Sequence, residues 1–152
     1  MEEQLLLIAS QIQEKIGLYQ REHVYRDILL QELRSQYSDV VPETVFPIAG
    51  MGNGHCLRLD VDIPSEKTII EMKSTNAPTK EEVFWQVRTY LENTNRTTAY
   101  VINFMSKQRC VELFKVSKTE QVTAKNKMRI YEKSGPFYSE PLEQVFTVSA
   151  AH

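Results

Sequence analysis

Cysteine is scarce in this 152-residue chain: Cys56 and Cys110 are the only two. They are too few and too far apart for a disulfide framework or a zinc knuckle, and each sits in an apolar strand-like run, so both read as reduced core residues. Long apolar runs are also missing. The longest near the start is Leu5 to Ala9, and Glu2 and Glu3 precede it where a signal peptide needs basic residues. Nothing approaches the roughly 18 apolar residues of a membrane span. The chain is therefore expected inside the cell with no membrane partner, in the cytoplasm of a prokaryote or in a nucleus if it is eukaryotic or viral. Neither a repeat nor a low-complexity segment is visible, and with 41% hydrophobic and 25% charged positions the composition excludes collagen and disorder. The length leaves room for one core, so a single domain over 1–152 is expected and a multidomain machine is excluded.

The net charge of −2 hides an asymmetry. Between Lys107 and Lys133 eight basic residues face three acidic ones, a local +5, and the remainder carries −7. A basic tract beside an acid-rich remainder suits a protein that handles phosphates, although a solvated surface with scattered lysines has the same charge.

Apolar spacing at Leu5, Ile8, Ile12, Ile16 and Tyr19 predicts a helix, and Val24, Tyr25, Ile28, Leu29 and Leu33 predict another stripe up to about Gln36. The interruption at Gln20 to His23, with Gly17 before it, predicts a bend or a second helix. Thr44 to Ala49 reads as an edge strand bounded by prolines, and Gly50 to Gly54 as a turn that lacks the lysine of a P-loop. In residues 56–63, Leu57, Leu59, Val61 and Ile63 alternate with Arg58, Asp60 and Asp62, which predicts a strand with one greasy and one ionic face. Thr68 to Ser74 forms its hairpin partner. Thr79 and Glu82 have capping-box spacing at the start of a helix reaching about Glu92. Strands follow over Thr98 to Phe104, Arg109 to Val116 and Met128 to Tyr131, then a turn at Gly135-Pro136 and a short apolar run over Gln144 to Val148. This order argues for an α/β fold in which helices flank a mixed sheet.

Side chains in a strand repeat every two residues, so Asp60 and Asp62 share one face, as do Glu71 and Lys73. Paired in register, they gather three carboxylates and an ammonium. Two carboxylates about 4 Å apart repel by roughly 4 kcal/mol at an effective dielectric near 20, so the cluster calls for a cation. Oxygen ligands favour Mg²⁺ or Mn²⁺. A solvent-facing hairpin would show the same alternation, and the residues alone leave the two readings even.

Asp60, followed after a turn by Ile69-Ile70-Glu71-Met72-Lys73, resembles the Asp…Glu-X-Lys signature of the PD-(D/E)XK nuclease superfamily. Glu22 to Leu33 resembles the Glu-X-X-Tyr helix of its GxxExxY branch. Gln86 to Leu91 is similar to that branch's Gln-X-X-X-Tyr-Leu helix, and Tyr100 to Phe104 to its Asn-Phe strand. The resemblance covers about 5–116 and implies a restriction-endonuclease-like core of αβββαβ order. It implies a Mg²⁺ site built by Glu22, Asp60 and Glu71, with Lys73 assisting phosphodiester hydrolysis and Gln86 as an added polar site residue. Asp62 is the alternative to Asp60. Tyr25 and Tyr90 read as core residues whose hydroxyls can support the site.

The sequence departs from the branch at Tyr19, which stands where its second glycine falls, and at Gln20 and Arg21, which replace two apolar residues. Residues 117–152 form a C-terminal extension with no counterpart in the resemblance. Lys125, Lys127 and Arg129 make it a candidate grip on nucleic acid, a homodimer contact is a second role, and extra strands covering the sheet edge are a third. The expected function is a metal-dependent nuclease acting on nucleic acid, DNA before RNA. The alternative is a catalytically silent nuclease-fold module that binds nucleic acid or a protein partner.

Overall fold

The chain turns sharply at Gly17, where α1 (Glu2–Ile16) ends and the backbone adopts φ 88, followed by Tyr19 at φ 61. After this turn α2 (Glu22–Arg34) begins, so the predicted bend separates two helices. In the computed structural model, which describes residues 1–47, 56–122 and 127–139, these helices precede a six-stranded sheet. Its strands are β1 (Val41–Pro47), β2 (Cys56–Ile63), β3 (Thr68–Thr75), β4 (Thr98–Met105), β5 (Cys110–Val122) and β6 (Lys127–Tyr138), side by side in sequence order. Helix α3 (Glu81–Glu92) connects β3 to β4, the one parallel pair, and the other neighbours are antiparallel.

Alternation along β4 shows how the layers form. Tyr100, Ile102 and Phe104 join the core under α1 and α2 with Leu5, Ile12, Tyr25 and Leu29, whereas Ala99 and Val101 join Phe84, Val87 and Leu91 of α3. The helices therefore cover both faces of a sheet whose central strands are apolar on each side. Among the described residues no helix is long and apolar enough to cross a membrane. Cys110 is a free thiol, but it is half-buried and not part of the core that its apolar strand suggested.

Four local expectations need correction. Leu59 packs with α3, but Val61 and Ile63 pack under α1 and α2, so the predicted greasy face of β2 changes sides at Asp60. Opposite Asp60 the β1 register places Glu43, which has φ 46. Helix α3 starts behind Lys80 with no side-chain cap, because Thr79 is taken by Glu112: its N–H donates at 2.8 Å and its hydroxyl also donates to that carboxylate. A buried carboxylate needs donors more than an exposed helix end does.

Gly135-Pro136 lies within β6 and not in a turn. The β5–β6 register shifts between Leu113 and Lys115, and Gly135 has φ 125. A Cβ there would meet the Leu113 carbonyl and the Phe137 ring at 3.3 Å, so the bulge requires glycine. The strand expected over Met128 to Tyr131 is longer than its short apolar signal suggests, because β6 pairs along the edge of an equally extended β5. The extension thus covers that sheet edge. Gly50 to Gly54 and Gln144 to Val148 lie outside the described residues.

Candidate active site

Strands β2 and β3 pair only over Val61↔Ile70, Asp62↔Ile69 and Ile63↔Thr68, and then part. At the fork the Asp60 side chain replaces a backbone partner, its Oδ2 accepting the Met72 N–H at 2.9 Å. This aims the carboxylate at β3, where Glu71, buried at 5% exposure, shares a hydrogen bond with it. Lys73 Nζ is 3.9 Å from Glu71 Oε1 and half-buried.

Burial, with the Asp60 hydrogen bond and charge adding to it, pushes the Glu71 carboxyl up to about 9, and Lys73 only partly opposes this. Glu71 therefore holds a proton at neutral pH. Tyr90 of α3 stands over the same pair; burial first and the Glu71 charge second push its hydroxyl up to about 12. Gln86 Nε2 donates to that hydroxyl, so Gln86 meets the site through Tyr90 while itself remaining exposed.

Glu22 is the first residue of α2 and is exposed. Tyr25 sets its place. The ring is buried and stacks on Phe104 with centroids 4.1 Å apart, and its hydroxyl donates to the Gly17 carbonyl at 2.9 Å and accepts the Gln20 N–H. Ser74 of β3 donates to the Gln20 carbonyl at 2.8 Å, and the Tyr19 N–H donates to Ser106 Oγ at 2.7 Å. The turn is thus pinned to the ends of β3 and β4, and Glu22 faces a cavity of about 360 Å³ shared with Ser74 and Asn76. Its charge reaches Glu71 but its side chain does not join the pair, and among the described residues no three acidic, His or Cys side chains converge on one point.

Asp62 has a different role. It is buried at 1% exposure, and Arg96 grips it with Nε on Oδ1 at 2.7 Å and Nη2 on Oδ2 at 2.8 Å. Of the two aspartates, Asp60 is the one that meets Glu71. Of the basic extension residues, Lys127 and Arg129 lie on β6, paired with Val122 and Glu120, and Lys125 lies outside the described residues.

The row Lys73↔Asn103↔Glu112↔Tyr138 runs across four strands. Asn103, fully buried, donates to the Ala77 carbonyl at 3.0 Å and accepts from Thr75, while Glu112 accepts from Thr79 and from the Tyr138 hydroxyl at 3.3 Å. These bonds hold the connection from β3 to α3, beside a cavity of about 240 Å³ lined by Lys73, Thr79 and Asn103. Asn103 was visible in sequence only as part of a strand motif, and nothing local marks Glu112 as its companion.

A family model described as the PD-(D/E)XK nuclease superfamily matches residues 1–116. The chain belongs to the PD-(D/E)XK nuclease superfamily. The match ends within β5, and the six-stranded sheet with helices on both faces agrees with the restriction-endonuclease-like architecture. No curated protein and no solved structure matches the chain at a significant level.

A divalent ion, which PD-(D/E)XK nucleases typically use, suits the donors at the fork. A carboxyl held protonated by burial beside a second carboxylate offers oxygen ligands that a hard cation would discharge. The same pair gives the metal-free protein a pH dependence. Because the folded Glu71 titrates near 9 and an unfolded glutamate near 4.5, the folded state binds the extra proton between these values. Its contribution to stability is complete below about 4.5 and is lost as pH rises toward 9. Urea midpoints of the metal-free protein are expected to fall between about pH 5.5 and about pH 8.5, and to fall less in Glu71→Gln. Equal slopes for both proteins would show that no buried proton is held at the pair.

Proposed function

We propose that this chain is a metal-dependent nuclease that hydrolyses phosphodiester bonds in nucleic acid, DNA before RNA, using Mg²⁺ or Mn²⁺. The observation that carries the reading is the Asp60–Glu71 carboxyl pair with Lys73 beside it, at the point where two strands separate and open the sheet. Asp60 and Glu71 would hold the cation, and Glu22, whose charge reaches Glu71, would complete the set. A bound divalent ion supplies Lewis-acid polarisation of the scissile phosphate.

The chain's own groups do the rest. Lys73 places an ammonium where it can orient an attacking water and offset charge that develops on the phosphate. Tyr90 closes the site on the α3 side and carries Gln86, whose amide is within reach of a substrate because it stays exposed. The basic extension, with Lys125, Lys127 and Arg129, adds positive charge for a polyanion.

A second reading, a module that binds nucleic acid or a protein without cutting, draws on one observation: Glu22 stands apart from the carboxyl pair. Incubation with labelled single-stranded, duplex and branched DNA and with RNA, with and without Mn²⁺, separates the two. Cleavage that needs Mn²⁺ and disappears in Lys73→Ala supports the nuclease. Binding without cleavage on every substrate supports the silent module.

A further inference from the structure

We propose that Tyr19 is a stacking platform for an unpaired nucleobase beside the cut phosphate, which makes single-stranded or locally opened nucleic acid the substrate class; this rests on the nuclease reading above. Tyr19 has φ 61, a left-handed conformation that glycine adopts freely and a bulky side chain resists. It stands where the motif that this helix resembles carries glycine. The fold does not need its ring there. Among the described residues the hydrogen bond that holds this residue in the turn is from its backbone N–H to Ser106 Oγ, which glycine would make equally well.

Packing does not hold the ring either, since Tyr19 is 61% exposed. An aromatic side chain kept in a strained backbone and presented to solvent points to a ligand with a flat face. Its surroundings select the class. Tyr19 lines the 360 Å³ cavity together with Arg21, Glu22, Ser74, Asn76 and Ser106. Hydroxyl and amide groups there can bond the edge of a base, Arg21 offers a cation for the adjoining phosphate, and Glu22 ties the cavity to the cutting site. Stacking needs no particular base, so the contact is tolerant of sequence, and a base within a continuous duplex stack has no free face to give.

Fluorescence anisotropy with Ca²⁺ in place of Mn²⁺ tests this, using a labelled single strand, a blunt duplex and a duplex with one mismatch. Tyr19→Gly is expected to weaken single-strand or mismatch binding about tenfold and leave the blunt duplex unchanged. Tyr19→Phe should keep parental affinity, and Tyr19→Gly should melt no lower than the parent. A loss on the single strand identifies a free strand as the source of the base, and a loss confined to the mismatch identifies a flipped base. Unchanged affinity in Tyr19→Gly, an equal loss on all three substrates, or an equal loss in Tyr19→Phe overturns the platform. If the parent never cleaves yet Tyr19→Gly loses single-strand binding, the nuclease reading fails and the platform stands. If the parent cleaves and Tyr19→Gly binds every substrate as the parent does, the platform fails and the nuclease reading stands.

Discussion

Asp62→Ala is expected to destabilise the protein by about 3–5 kcal/mol, because it leaves the Arg96 guanidinium buried without its counter-charge. Arg96 is 8% exposed, sits 5.3 Å over the Phe46 ring, and makes two bonds to Asp62 shorter than 3 Å. For a domain of this size the loss corresponds to a fall in melting temperature of about 10 °C. Thermal unfolding measures it directly. Replacing both partners, Asp62→Leu with Arg96→Leu, should recover much of the loss, since the charge and its cost of burial go together. Asp60→Asn should change stability little and abolish divalent-ion binding. A mild effect at Asp62, or loss of ion binding there and not at Asp60, would reverse the roles given to the two aspartates.

Lys73→Ala should lower single-turnover cleavage in Mn²⁺ by about 100-fold or more, the scale of removing one well-placed electrostatic group from a reaction centre. Stability should change by only about 1 kcal/mol, because the Lys73–Glu71 contact is long and its lysine half-buried. The side chain is in register with Asn103 and borders the 240 Å³ cavity, so the network that fixes the β3–α3 connection also fixes the path of the lysine. Lys73→Arg should not restore the rate, since a planar fork does not reproduce a compact ammonium at one point. A Lys73→Ala protein that cuts at the parental rate in single-turnover experiments rules out this role.

What the sequence could reveal followed from the range of its signals. Helical stripes such as Leu5, Ile8 and Ile12, and the alternation in β4, arise from neighbours on one element, and both were legible. The fork was legible in part: the Glu71–Lys73 spacing marks β3 and the motif resemblance prefers Asp60 to Asp62, but nothing local shows the physical reason for that preference. That choice is made by Arg96, 34 residues from Asp62 in a segment that carries no marked motif. The same reason explains Thr79, whose capping-box spacing lost to a carboxylate 33 residues away. Gly135 read as a turn because Gly-Pro usually marks one, whereas here it forms a bulge set by the β5 partner. Tyr19 was visible as an anomaly against a motif glycine, and its φ of 61 supplies the physical reason glycine would fit there.

The most direct test of the Asp60–Glu71 centre is calorimetric titration of Ca²⁺ or Mn²⁺ into metal-free protein near neutral pH, repeated in two buffers of different ionisation enthalpy. Glu71 must surrender its proton to take a cation, so binding should release about one proton per ion, and Glu71→Gln should bind far more weakly. An ion that binds with no proton release, or no binding heat in either buffer, would contradict a metal centre at the fork of β2 and β3.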